Sequence, residues 1–134
     1  MTIRYYSTNR NLKNAAGINP FTGTVSFKEA LIAGQAPDEG LFVPDCIPQL
    51  SSQDILNLKN KPYWETALLV AKTFLGDEFS PEVLTAVVKD AYNYPVPLEE
   101  VYERTYVMRL DQGPTASFKD FAARMMARLM SHCR

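Results

Sequence analysis

Over residues 113–130, GPTASFKDFAARMMARLM, polar and apolar positions sort onto different faces of an expected helix. Asp120, Arg124, Arg128 and Ser131 follow i, i+4, i+8, i+11 spacing and form a polar stripe. Lys119 stands off that stripe: its neighbours at helical spacing are Ala122, Ala123, Met126 and Met130, an apolar surface. Ser117 followed by Asp120 reads as a capping box, which puts Lys119 in the first helical turn. Met125, Met126 and Met130 read as core packing.

The same punctuation marks the rest of the chain. Ile3 to Ser7, β-branched and aromatic, predicts a short strand. The stretch 14–23, crowded with Gly17, Asn19, Pro20 and Gly23, reads as loop. Ser26 with Glu29, and Ser51 with Asp54, are capping boxes opening two short helices, the first stopped by Gly34. Between them the apolar run Leu41 to Val43 predicts a strand pairing with the N-terminal one. Pro62 at a first helical position opens a helix that Gly76 stops, and Ser80 and Pro81 open another that must end before Pro95. Alternation in RTYVMRL, residues 104–110, predicts a strand ending near Leu110, and a helix follows from near Phe118. The fold class is therefore α+β, mostly helical with a few short strands. The last helix meets no stop signal before Arg134, so the chain reads as a fragment.

Composition narrows the function classes. The 134 residues are 46% hydrophobic and 22% charged, an ordinary balance for a globular domain rather than a disordered one. Fourteen basic and fifteen acidic residues leave a net charge of -1, which does not favour nucleic acid or an anionic membrane as a partner. No apolar run approaches the length needed to span a bilayer, and residues 1–14 lack the apolar core of a signal peptide. Cys46 and Cys133, far apart and in no C-x-x-C pair, read as reduced thiols of a cytoplasmic protein. His132 is the only histidine, so no metal set is expected.

The pattern nominates Lys119 for chemistry without deciding the matter. A helix N-terminus disfavours a cation, and apolar neighbours disfavour charge once covered. Both effects favour the neutral amine that nucleophilic catalysis needs. A solvated surface lysine remains the other reading. Asp38 and Glu39 form a carboxylate pair, but turns attract acidic residues and solvation is the expectation there. The glycines at 17, 23, 34, 40, 76 and 113 are scattered and form no phosphate-cradling loop.

Gln112-Gly113-Pro114-Thr115 followed by Phe118-Lys119-Asp120 closely resembles the pyridoxal-phosphate (PLP) lysine motif of threonine synthases, where His-Gly-Pro-Thr leads into Phe-Lys-Asp. Upstream, RYYSTNR resembles the family's Tyr-x-Ser-Thr-Arg start, and VSFKEALIAGQAPDEGLFVP resembles its segment ending Ala-Pro-Asp-Gly-Gly-Leu-Tyr-Val-Pro. Three motifs in order span nearly the whole chain. Departures are Gln112 for His, Gln35 for Leu, Glu39 for Gly, and Asn9 within Ser-Thr-Arg. Family members continue into a Ser/Gly/Asn/Thr-rich loop that holds the PLP phosphate, which this sequence does not contain.

The resemblance implies the N-terminal part of a fold-type-II PLP α/β enzyme, with residues 1–98 as an N-terminal domain and 99–134 as the truncated beginning of the PLP-binding domain. It implies PLP as cofactor, with Lys119 as both its Schiff-base residue and the catalytic residue. It implies O-phospho-L-homoserine as the small-molecule substrate, L-threonine and phosphate as products, and an inactive fragment prone to self-association. Two rivals are another fold-type-II PLP enzyme, such as a dehydratase, and a non-catalytic interaction module.

Overall fold

In the computed structural model, which describes residues 2–12, 17 and 19–133, five helices and two small sheets are laid out in a simple order. Strand β1 (Tyr5–Ser7) is central in an antiparallel three-stranded sheet, flanked by β2 (Thr24–Val25) and β3 (Phe42–Pro44). Tyr5 lies opposite Val25 on one side and Pro44 on the other, so the expected pairing of the two N-terminal strands forms. Helix α1 (Phe27–Ala33) begins at the Ser26–Glu29 capping box and ends at Gly34, whose φ of 72° is the left-handed stop that glycine adopts freely. Helix α2 (Ser52–Asn57) begins at the Ser51–Asp54 box and buries no residue.

The main core lies among the longer helices. Helix α3 (Tyr63–Leu75), helix α4 (Pro81–Ala91) and helix α5 (Lys119–Ser131) enclose Ala71, Leu75, Phe79, Leu84, Val88 and Leu129. Pro62 caps α3 from outside rather than occupying its first turn. A second cluster, Ile3, Tyr5 and Ala30, sits beneath the sheet, and Phe27 and Phe74 pack against both. Phe27 makes ring contacts with Tyr5 at 5.7 Å and Phe79 at 6.2 Å, joining sheet, α1 and helical core. Glu78 strengthens that joint. Its carboxylate accepts from the backbone N–H of Phe27 (2.6 Å) and of Lys28 (3.0 Å), capping α1 from the α3–α4 turn.

Several expectations need correction. Asp38 is not solvated: it is 1% exposed and hydrogen-bonded on both oxygens. The loop expected over 14–23 lies partly outside the described residues. A hairpin of β4 (Leu98–Tyr102) and β5 (Thr105–Met108) forms where only the second strand was expected, and β5 stops short of Leu110. Every residue of β4 is exposed, so it carries no inside–outside alternation to read. Met125 packs on the core as expected, whereas Met126 and Met130 are exposed. Helix α5 closes at His132, whose N–H bonds to Leu129 O at 2.9 Å. Among the described residues no helix is long and apolar enough to cross a membrane.

Candidate active-site segment

The segment carrying Lys119 is built from the end of the hairpin onward. Arg109 N–H bonds to Pro97 O at 2.9 Å and so continues the strand pairing. Its guanidinium holds Asp111 in a two-point contact (2.9 and 2.6 Å) and reaches Glu99 at 2.7 Å. Those bonds hold the Asp111 carboxyl well below the usual carboxylate range. Gln112 donates its side-chain amide to Asp111 at 3.0 Å, so the residue replacing the family His is tied to this ion pair.

The chain then turns. Ala116 N–H bonds to Gly113 O at 3.0 Å, with Ala116 in the left-handed region at φ 53°. The capping box expected of Ser117 and Asp120 does not form. Ser117 Oγ accepts from Lys119 N–H at 3.3 Å, while the Asp120 side chain reaches back to Thr115. Gly113 packs so closely on Asp120 that a Cβ there would collide with its carboxylate.

The polar stripe of α5 is not a solvated face. Arg124 donates to Ala91 O (2.7 Å), Asp90 O (2.8 Å) and Asn93 Oδ1 (2.9 Å), satisfying carbonyls at the open end of α4. Arg128 pairs with Asp90, whose carboxyl that contact holds below its ordinary range. Beside them Tyr63, Tyr92, Tyr94 and Phe121 form an edge-to-face ring cluster. Burial pushes the Tyr92 hydroxyl up to about 12, and Tyr92 donates to Phe121 O at 3.1 Å. The Tyr94 hydroxyl oxygen is enclosed yet has no hydrogen-bond partner. The stripe therefore fastens α5 to α4, which leaves Lys119, Ala122, Ala123, Met126 and Met130 on the open side. The apolar face expected around the lysine exists, but nothing among the described residues covers it.

The segment presents one primary amine from the first turn of a helix, behind a turn tight enough to require glycine at 113. That fits the carbonyl end of an aldehyde cofactor. Backbone amides of the segment are already engaged: Thr115 N–H by Asp120 Oδ2, Ala116 N–H by Gly113 O, Lys119 N–H by Ser117 Oγ and Asp120 N–H by Ser117 O. Among the described residues no group of three or more His, Cys, Asp and Glu side chains is placed to hold a metal ion. Sequence spacing missed the Asp120–Thr115 contact, and its one signal was the glycine at 113.

The short sheet, helical core and turn-to-helix segment define the N-terminal portion of a fold-type-II α/β enzyme. The family model for the threonine synthase N terminus matches residues 4–92. Threonine synthase of Haemophilus influenzae is 38% identical over 110 residues, covering 82% of this chain and 25% of that protein. Among solved structures, PLP-bound threonine synthase from Brucella melitensis superposes with a TM-score of 0.83 at 31% identity. It covers 98% of this chain and 27% of its own. Threonine synthase from Escherichia coli gives 0.82 at 28% identity, over 97% and 28%. The chain belongs to the threonine synthase N-terminal family, and it spans about a quarter of the length of the curated relatives it matches.

Proposed function

We propose that this chain is the N-terminal portion of a threonine synthase, a PLP-dependent lyase that converts O-phospho-L-homoserine and water to L-threonine and phosphate. Lys119 is its cofactor-holding and catalytic residue. The observation that carries the reading is the placement of the Lys119 amine on the open face of α5, behind the Gly113 turn. It is supported by likeness over nearly the whole chain to a threonine synthase solved with PLP. Residues 1–98 act as the N-terminal domain and 99–134 begin the cofactor domain, with the boundary falling at the first residue of β4.

When bound, PLP supplies an electron sink for negative charge developing on substrate carbons. Lys119 Nζ would hold the cofactor at its aldehyde carbon, and as a free amine it would accept and return protons at the substrate carbons. Covering of the Met126 and Met130 face by the rest of the enzyme would exclude water from that amine. The exposed hairpin residues Leu98, Val101, Tyr102 and Tyr106 favour self-association. The free thiols Cys46 and Cys133 suit the reducing cytoplasm.

The test is borohydride reduction of the full-length protein with PLP, followed by peptide mapping. A pyridoxyl group should appear on Lys119 and be absent from Lys119→Ala, whose turnover should fall by several orders of magnitude. Lys119→Arg should fail equally, because guanidinium stays protonated. Lys72, in the last turn of α3, and Lys89, whose amine lies 4.5 Å over the Trp64 ring, serve as controls. An adduct on either, or one that persists in Lys119→Ala, would refute the assignment.

A further inference from the structure

Asp120 follows Lys119 directly, is only 5% exposed, and has no part in the chemistry proposed above. Thr115 donates its backbone N–H to one carboxylate oxygen of Asp120 and its hydroxyl to the other, both at 2.9 Å. A carboxylate serving only helix stability would bond the amide of Ser117, three residues back, as Glu29 does for Ser26 in α1. Asp120 reaches five residues back instead, into the turn before the lysine. That turn includes Ala116 at φ 53°, a conformation an alanine adopts only when its surroundings impose it.

We propose that Asp120 is a positioning residue: it locks the turn 113–116 to the first turn of α5 and so fixes where the Lys119 amine leaves the helix. The inference rests on Lys119 being the cofactor lysine. Released from Thr115, the start of α5 is free to fray by a residue, which moves a helical position by about 1.5 Å. Catalytic groups need placement within about 0.5 Å, and a 1 Å error costs on the order of a hundredfold in rate. Gly113 belongs to the same device, since a side chain there would push the carboxylate off Thr115.

The experiment compares Asp120→Ala, Asp120→Asn, Gly113→Ala and the Gly113→Ala/Asp120→Ala double variant in the full-length enzyme. Three readouts are taken: kcat against KM, the Thr115 amide exchange rate, and the position of the borohydride-trapped adduct. Asp120→Ala should lower kcat on the order of a hundredfold with little change in KM, and speed Thr115 exchange. Asp120→Asn should restore most of both, because its amide oxygen accepts from Thr115 N–H and its amide nitrogen donates to Thr115 Oγ1. Gly113→Ala should resemble Asp120→Ala, and the double variant should be no worse than the poorer single one. Unchanged kcat in Asp120→Ala, no rescue by Asn, or strictly additive losses would overturn the positioning role. An adduct on a lysine other than Lys119 would overturn the cofactor reading instead, and the Thr115 exchange rates would still report on the lock.

Discussion

Ser7 and Asp38, thirty-one positions apart, share a 2.5 Å hydrogen bond between side chains that are both buried. The remaining capacity of Asp38 is taken by the backbone N–H of Phe21 (2.8 Å) and of Gly40 (3.1 Å). Asn9 donates to Asp38 O at 2.9 Å, and Thr8 and Leu41 exchange two further bonds. Two stretches read separately in the sequence, around Ser7-Thr8-Asn9 and Asp38-Glu39-Gly40, are therefore one knot where the central strand β1 ends. Glu39 sits there at φ 63°, which explains why the resembled family places glycine at that position.

Ser7→Ala should destabilise the protein by about 1–3 kcal/mol, since it strips a donor from an enclosed carboxylate without giving that carboxylate water. Burial alone raises the Asp38 pKa, but the Ser7 hydroxyl and the Phe21 and Gly40 amides outweigh it and hold the group below its usual range. Because the folded value is depressed, this stability is fully present above about pH 3.9, the unfolded value. It is lost as pH falls through the lower folded one. Urea melts between pH 3 and 7 check this: the acid loss of stability should be shallower in Ser7→Ala. An equal slope in the two proteins would mean that Asp38 does not depend on Ser7.

What the sequence made legible follows contact range. The boxes Ser26–Glu29 and Ser51–Asp54 join residues three apart, so local spacing revealed them, and both form. Ser117–Asp120 has the same spacing and failed, because Thr115 offered Asp120 two donors at once. The Ser7–Asp38 bond and the Glu78 cap of α1 depend on chain reversals that no local window contains. Lys119 stood out by position, but spacing left it open, and only the motif around it singled it out. The stripe Asp120, Arg124, Arg128 and Ser131 was read as one face of a helix, and only the fold revealed that Arg124 and Arg128 fasten to α4 while Asp120 turns back to Thr115.

Arg124→Ala should cost about 1.5–3 kcal/mol, because three acceptors at the end of α4 lose a charged donor together. Arg124→Lys should recover only part of this, since an ammonium cannot span Ala91 O, Asp90 O and Asn93 Oδ1 as the planar fork does. Thermal unfolding ranks the three proteins. A lysine variant as stable as the parent would show that the charge alone suffices.

Glu78 offers a test of the joint between sheet and helical core. Its two oxygens separately accept the Phe27 and Lys28 amides, so a carboxylate from a distant turn neutralises the positive end of α1. Glu78→Gln keeps one acceptor and loses the charge, whereas Glu78→Ala loses both. The expected costs are about 1 and about 2 kcal/mol, within the range measured for helix caps. The charge component is screened by salt and the hydrogen-bond component far less so. Raising NaCl should therefore narrow the gap between parent and Glu78→Gln while leaving most of the Glu78→Ala deficit. Denaturant titrations at low and high salt measure this directly. Equal losses in the two variants at every salt concentration would assign the cap to charge alone and remove the two-bond geometry from the account.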